Sequence, residues 1–154
     1  MTKEEGVSTP EKQAVRDAWR ELGFYYHLDL RQRFWQLVGS RSGLMRFRDI
    51  LAAYIADPKN EQLLEYEVYG PDEYLKIMTA EHPGIDDKTI DGRLSDLKHL
   101  GELIEDRLSQ AVPGSTFSIK REYADDAKFS IIFQVMDDDF DPASEDPRLS
   151  QSTI

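Results

Sequence analysis

The stretch from Asp91 to Val112 constrains this chain more than any other. At about 100° per residue, Leu94, Leu97, Leu100, Gly101, Ile104, Leu108, Ala111 and Val112 share one arc, the stripe of a helix lying on a core. Asp91 is placed to cap its start, and Pro113-Gly114 to stop it. Leu103 alone stands off the stripe. Such a helix needs a layer to lie on, and the chain on either side supplies the alternation of strands.

Before the helix, Leu64, Tyr66 and Val68 alternate with Glu65, Glu67 and Tyr69. Gly70-Pro71-Asp72-Glu73 makes a turn, and Tyr74 to Thr79 returns as the second strand of a hairpin. Lys88-Thr89-Ile90 adds a short strand. Beyond the helix, Phe117, Ile119 and Tyr123 share a face of residues 116–123, and Ala124 to Ala127 is a hairpin-length loop. Phe129, Ile131, Phe133 and Val135 then alternate. Ile132 points the other way, so this last strand is expected in the middle of the sheet.

The first third reads as helical. Ser8-Thr9-Pro10-Glu11 combines capping-box spacing with a first-turn proline. Ala14, Val15, Ala18, Trp19 and Leu22 follow on one face, and Gly23 ends the helix. Phe24-Tyr25-Tyr26-His27-Leu28 is too aromatic for an exposed loop. Asp29 is expected to cap a second helix over 30–38, with Leu30, Phe34, Leu37 and Val38 on its face. Ser42 is expected to cap a third over 43–56, carrying Leu44, Phe47, Ile50, Leu51, Tyr54 and Ile55, closed by Asp57-Pro58. The expected fold is α+β: N-terminal helices, then an antiparallel sheet of about four or five strands with the 91–112 helix packed on it. Residues 1–136 form the domain, and 137–154 an acidic, flexible C-terminal tail.

The chain has 154 residues, enough for a substantial core, and no cysteine. Disulfide frameworks, thiolate metal sites and cysteine nucleophiles are thereby removed together. No run approaches the ~20 apolar residues of a membrane span, and the polar N-terminus lacks the apolar region of a signal peptide. A soluble, cytoplasmic protein is expected. Net charge is −11, unevenly spread: residues 1–60 carry 10 Lys/Arg and 8 Asp/Glu, and residues 61–154 carry 9 and 22. That surface repels nucleic acid and attracts basic proteins.

Several groupings invite a chemical reading. Asp137, Asp139 and Asp141 have the 1, 3, 5 spacing of a calcium loop, but Pro142 and Arg148 stand where a glycine and a bidentate glutamate are required. The run of Asp137, Asp138, Asp139 and Asp141 reads instead as a solvated tail or a docking strip. His27, His82 and His99 fall in no HExxH or HxH motif, so no cofactor is called for. A metal-dependent hydrolase using His82 with Asp86 or Asp87 is the competing enzymatic reading. Gly39-Ser40-Arg41-Ser42-Gly43 follows a helix and lacks the lysine of a phosphate loop, so it reads as a capped turn. Arg31, Arg33, Arg41, Arg46 and Arg48 make the first third mildly basic. If that patch functions, it holds the acidic tail or a second copy, which admits a homodimer. The most distinctive surface is the strand face of Glu65, Glu67 and Tyr69 with Asp72 and Glu73 in the following turn. Carboxylates beside tyrosine suit a basic protein partner, because Glu accepts Arg forks and Tyr supplies rigid contact area.

The passage Thr89-Ile90-Asp91-Gly92-Arg93-Leu94-Ser95-Asp96-Leu97-Lys98-His99-Leu100, with Leu103-Ile104 and a hairpin after it, resembles a module of small bacterial immunity proteins of polymorphic toxin systems. The resemblance spans about residues 63–136. It implies a non-enzymatic acidic protein that binds and blocks a cognate toxin, often a basic nuclease.

Overall fold

A computed structural model describes residues 9–150. The expected capping residue Ser8 and the last four residues of the expected tail lie outside them. The element order is α1 (Thr9–Leu22), β1 (Tyr25–Asp29), β2 (Phe34–Ser40), α2 (Arg41–Ala56), β3 (Tyr66–Tyr69) and β4 (Leu75–Thr79). There follow β5 (Gly84–Ile85), β6 (Ile90–Gly92), α3 (Leu94–Ser109), β7 (Thr116–Ile119), β8 (Ser130–Met136) and the short α4 (Pro147–Ser150). Short 3-10 turns occupy Pro58–Glu61 and Pro142–Glu145.

The class is α+β, but the strands form two sheets, ordered β1-β2-β8-β7 and β3-β4-β6-β5. Each is mixed rather than antiparallel: β2 runs parallel to β8, and β4 parallel to β6. The hairpin β3–β4 is antiparallel as expected, with Tyr66 opposite Met78 and Tyr69 opposite Leu75. β8 is interior, flanked by β2 and β7. Its Ile131, Phe133 and Val135 are fully buried, as the alternation required.

The helix expected over 30–38 is instead the second half of a hairpin. Asp29 does cap, but it caps a turn: its carboxylate accepts from the Gln32 N–H at 2.8 Å, and Arg33 closes the turn at φ 65°. An aspartate before a polar stretch starts a turn as readily as a helix. β-Sheet propensity then decides, because Phe34, Trp35 and Val38 pack better on a pleated, half-buried surface. Trp35 and Leu37 point into the core opposite Leu28 and Tyr26.

α2 starts at Arg41, two residues before the expected point, and Ser40 rather than Ser42 caps it by accepting from the Gly43 N–H at 3.0 Å. A Cβ on Gly43 would collide with the Gly23 carbonyl, which is how closely α2 approaches the turn after α1. α3 begins at Leu94, because Asp91 belongs to β6; the Asp96 carboxylate accepts from the Arg93 N–H at 2.9 Å instead. Leu97, Leu100, Gly101, Ile104 and Leu108 are buried on its stripe, and Leu103 packs partly against the same core. Val112 falls beyond the helix and is exposed.

Residues 137–150, expected to trail off, run back over α1. Pro142, Ala143 and Asp146 are buried, and Arg20 holds Asp141 through two hydrogen bonds of 3.1 and 2.8 Å. Acidic composition suggested solvation, but Trp19, buried in the last turn of α1, needs a partner for its indole N–H, and Asp146 supplies it at 2.9 Å.

Candidate functional site

An open groove of about 810 Å³ runs between the two sheets. One wall comes from α1 and the β1–β2 hairpin, with Trp19, Tyr26, Leu28 and Trp35. The other comes from β3, β4 and their turn, with Tyr66, Val68, Tyr74 and Lys76, while Arg148 and Asp146 close one end. Such a volume lies within the range typical of ligand and peptide sites.

The aromatic rings are fixed by their polar tips. The Trp35 indole N–H donates to the Asp86 carbonyl at 2.7 Å. The Tyr26 hydroxyl donates to the Tyr69 carbonyl at 2.6 Å and accepts from the N–H groups of Tyr74 and Leu75 at 3.2 Å each. His27 is bonded to Gln36 at 2.7 Å. Trp19 meets Tyr25 and Tyr26 at ring separations of 4.7 and 5.2 Å. With their polar tips satisfied, Trp19, Tyr26 and Trp35 are almost fully buried and form a packed floor beneath the groove. Its lips are unusually exposed for large apolar side chains: Leu30 63%, Tyr66 51% and Tyr74 70%. Lys76 lies 4.2 Å above the Tyr66 ring, a cation–π contact already made within the wall.

Arg148 is the electrostatic hinge of the closed end. Its guanidinium bonds both Asp146 oxygens, at 3.1 and 2.7 Å, and both Asp72 oxygens, at 3.1 Å each. Burial alone would raise the Asp146 carboxyl, but hydrogen bonds from Arg148 and Trp19 outweigh it and hold the group below its ordinary value. Arg148 is correspondingly raised, first by its bond to Asp146. Burial also pushes the Tyr69 phenol well up.

The residues marked in the sequence do not converge. Asp72 and Glu73 border the groove, Asp72 already occupied by Arg148. Glu67 holds Lys59 at 3.0 Å, and Glu65 is half-buried at the start of the strand. Tyr69 packs against the core instead of facing solvent. The register explains this: Tyr69 and Glu67 sit opposite the buried Leu75 and Ile77, so their face is the inner one, and Tyr66 and Val68 look into the groove. Asp137, Asp138 and Asp139 are exposed at the far end of β8, and Asp141 is tied to Arg20.

Three of the five arginines of the basic patch have structural roles, while Arg31 and Arg33 are exposed in the turn between β1 and β2. Arg46 donates to the Glu21 carbonyl at 2.7 Å, Arg41 to the Ala111 carbonyl, and Arg48 pairs with Glu105 at 2.7 Å. The acidic segment is held by Arg20 of α1. His82 and Asp87 are exposed, and the Asp86 carboxylate accepts from the N–H groups of Lys88 and Thr89 at 2.8 Å each. Among the described residues no three His, Cys, Asp or Glu side chains gather as a metal-holding group, and no helix is long and apolar enough to cross a membrane.

Sequence reasoning missed Trp19, Leu30 and Trp35 as groove residues. The aromatic run 24–28 was the available signal, since so many rings in one short strand must line something. Comparison of the chain with protein-family models, curated proteins and solved structures finds no match.

Proposed function

We propose that this chain is a non-enzymatic protein-binding module that takes a basic partner against the aromatic groove, in the manner of an immunity or antitoxin-type inhibitor. The observation that carries it is the set of half-exposed lips, Leu30, Tyr66 and Tyr74, over rings whose polar atoms are already bonded. Large rigid side chains around a desolvated floor are the make-up of binding hot spots. The net charge of −11 makes the partner basic. Long-range charge then steers encounter, and the groove sets how long the complex lasts. Masking a cationic surface is the mechanism by which such binding would inhibit, and the resemblance of residues 63–136 to immunity proteins favours that role.

The test uses a partner captured from the native host, identified by mass spectrometry and purified. Combined Leu30→Ala, Tyr66→Ala and Tyr74→Ala changes are expected to weaken binding at least about 100-fold, mostly through faster dissociation, with little loss of thermal stability. Changing Asp137, Asp138 and Asp139 to Asn is expected to slow association a few-fold and to flatten its salt dependence. A partner that binds the groove variant as tightly as the native chain overturns the reading.

A further inference from the structure

The proposed binding role leaves open how a partner engages the groove, and the backbone of β3 gives an answer that rests on that role. β3 is the outer strand of its sheet. The Thr79 N–H donates to the Glu65 carbonyl at 2.9 Å. By the alternation of an antiparallel ladder, Glu67 and Tyr69 then face Ile77 and Leu75, the Tyr26 hydroxyl bridging the Tyr69 carbonyl and the Leu75 N–H, and the N–H and C=O groups of Tyr66 and Val68 point away from β4. Among the described residues these four groups have no other backbone partner.

The edge is built and held rigid. At its start the Leu64 N–H also donates to the Thr79 carbonyl at 2.8 Å, with Leu64 at φ 72°. Two residues opposite one, the first left-handed, make a bulge whose first position normally belongs to glycine. Here a leucine occupies it, 70% exposed. Beneath it the Tyr54 hydroxyl donates to the Glu65 carbonyl at 2.7 Å and meets the Thr79 hydroxyl at 2.8 Å, which donates to the Asn60 carbonyl at 2.5 Å. A strand edge fixed in this way has little ordering left to lose on binding.

We propose that β3 is extended by a strand of the partner in which basic and apolar side chains alternate. An added strand continues the two faces of β3. Its apolar side chains fall beside Tyr66 and Val68 at the groove, and its basic ones beside Glu65 and Glu67. Glu67 accepts them by exchange with Lys59, a solvent-exposed pair that costs little to break. A second copy of this chain does not suit the edge: antiparallel pairing of Tyr66 with Val68 sets Glu67 against Glu67, between two molecules each carrying −11.

The experiment follows backbone amide exchange of the full chain by NMR at low salt, with and without a capped octapeptide alternating lysine and valine. A peptide of the same composition with its lysines in one block is the control. The alternating peptide is expected to slow exchange at the Tyr66 and Val68 amides about tenfold or more, leaving Glu67 and Tyr69, which face β4, unchanged. Val68→Pro removes the outward N–H without touching the ladder, a change edge strands tolerate. It is expected to abolish the effect while the far-UV circular dichroism spectrum and melting temperature stay native. Peptide binding reported by tryptophan emission without protection at Tyr66 and Val68 overturns strand addition and leaves the groove reading standing. Equal protection by the block peptide, or no binding of the alternating peptide, overturns it as well, the groove reading then being decided by the purified partner.

Discussion

Asp146 shows how a single buried carboxylate can fix a segment that composition would release to solvent. It is 2% exposed and satisfies Trp19 on one side and Arg148 on the other. Hydrogen bonds to a charged acceptor are worth more than neutral ones, about 1.5–3 kcal/mol each. Because its pKa in the folded chain lies below the ordinary 3.8, the stabilisation is complete above that value. It is lost as pH falls from 3.8 through the lower folded value. Asp146→Asn is therefore expected to cost about 2 kcal/mol at neutral pH. It should also make unfolding less sensitive to acid in that window, measured by thermal melts over the acid range. A variant as acid-sensitive as the native chain would place the effect on other carboxylates.

Among the elements, the β3–β4 hairpin is where the two walls of the groove meet. The Tyr26 hydroxyl, reaching from β1, bonds three backbone groups at the turn end of that hairpin. Gly70 makes this possible: it sits at φ 90°, and a Cβ there would stand 2.5 Å from the Tyr26 hydroxyl. Gly70→Ala is expected to cost about 2–3 kcal/mol, combining left-handed strain with displacement of Tyr26, and to widen the groove. Denaturant unfolding measures the first, and amide exchange at Tyr74 and Leu75 the second. The hairpin itself was legible because its alternation and its Gly-Pro turn are local. So was α3, whose stripe spans four turns. Which face of β3 points inward was not legible. Leu64, Tyr66 and Val68 looked like the core side, and the register to the buried Leu75 and Ile77 reversed it. The 30–38 segment failed for a related reason. Leu30, Phe34, Leu37 and Val38 fit a helical stripe equally well, and only pairing with β1 and with β8, almost 100 residues later in the chain, makes the segment a strand.

At the scale of the whole molecule, parallel pairings join β2 to β8 and β4 to β6. Contacts between the sheets, Tyr26 with Tyr69 and Trp35 with Asp86, bring the β1–β2 hairpin and the β3–β4 hairpin around one groove, a convergence that no local pattern encodes. The acidic balance, by contrast, was legible from the outset, and under the proposed binding role it sets encounter more than grip. Much of it is spread over exposed positions such as Asp137, Asp138, Asp139, Glu102 and Glu105, away from the aromatic lips. Much of the charge thus lies apart from the aromatic lips, although Asp72 and Glu73 border the groove. Where a partner lands is measured directly by hydroxyl-radical footprinting of the purified complex, read by mass spectrometry. Leu30, Tyr66 and Tyr74, reactive in the free chain, are expected to become shielded, with Val112 unchanged as an exposed control. Shielding confined to Asp137–Asp139 and the helices, with those three side chains still as reactive as in the free chain, would contradict binding at the groove.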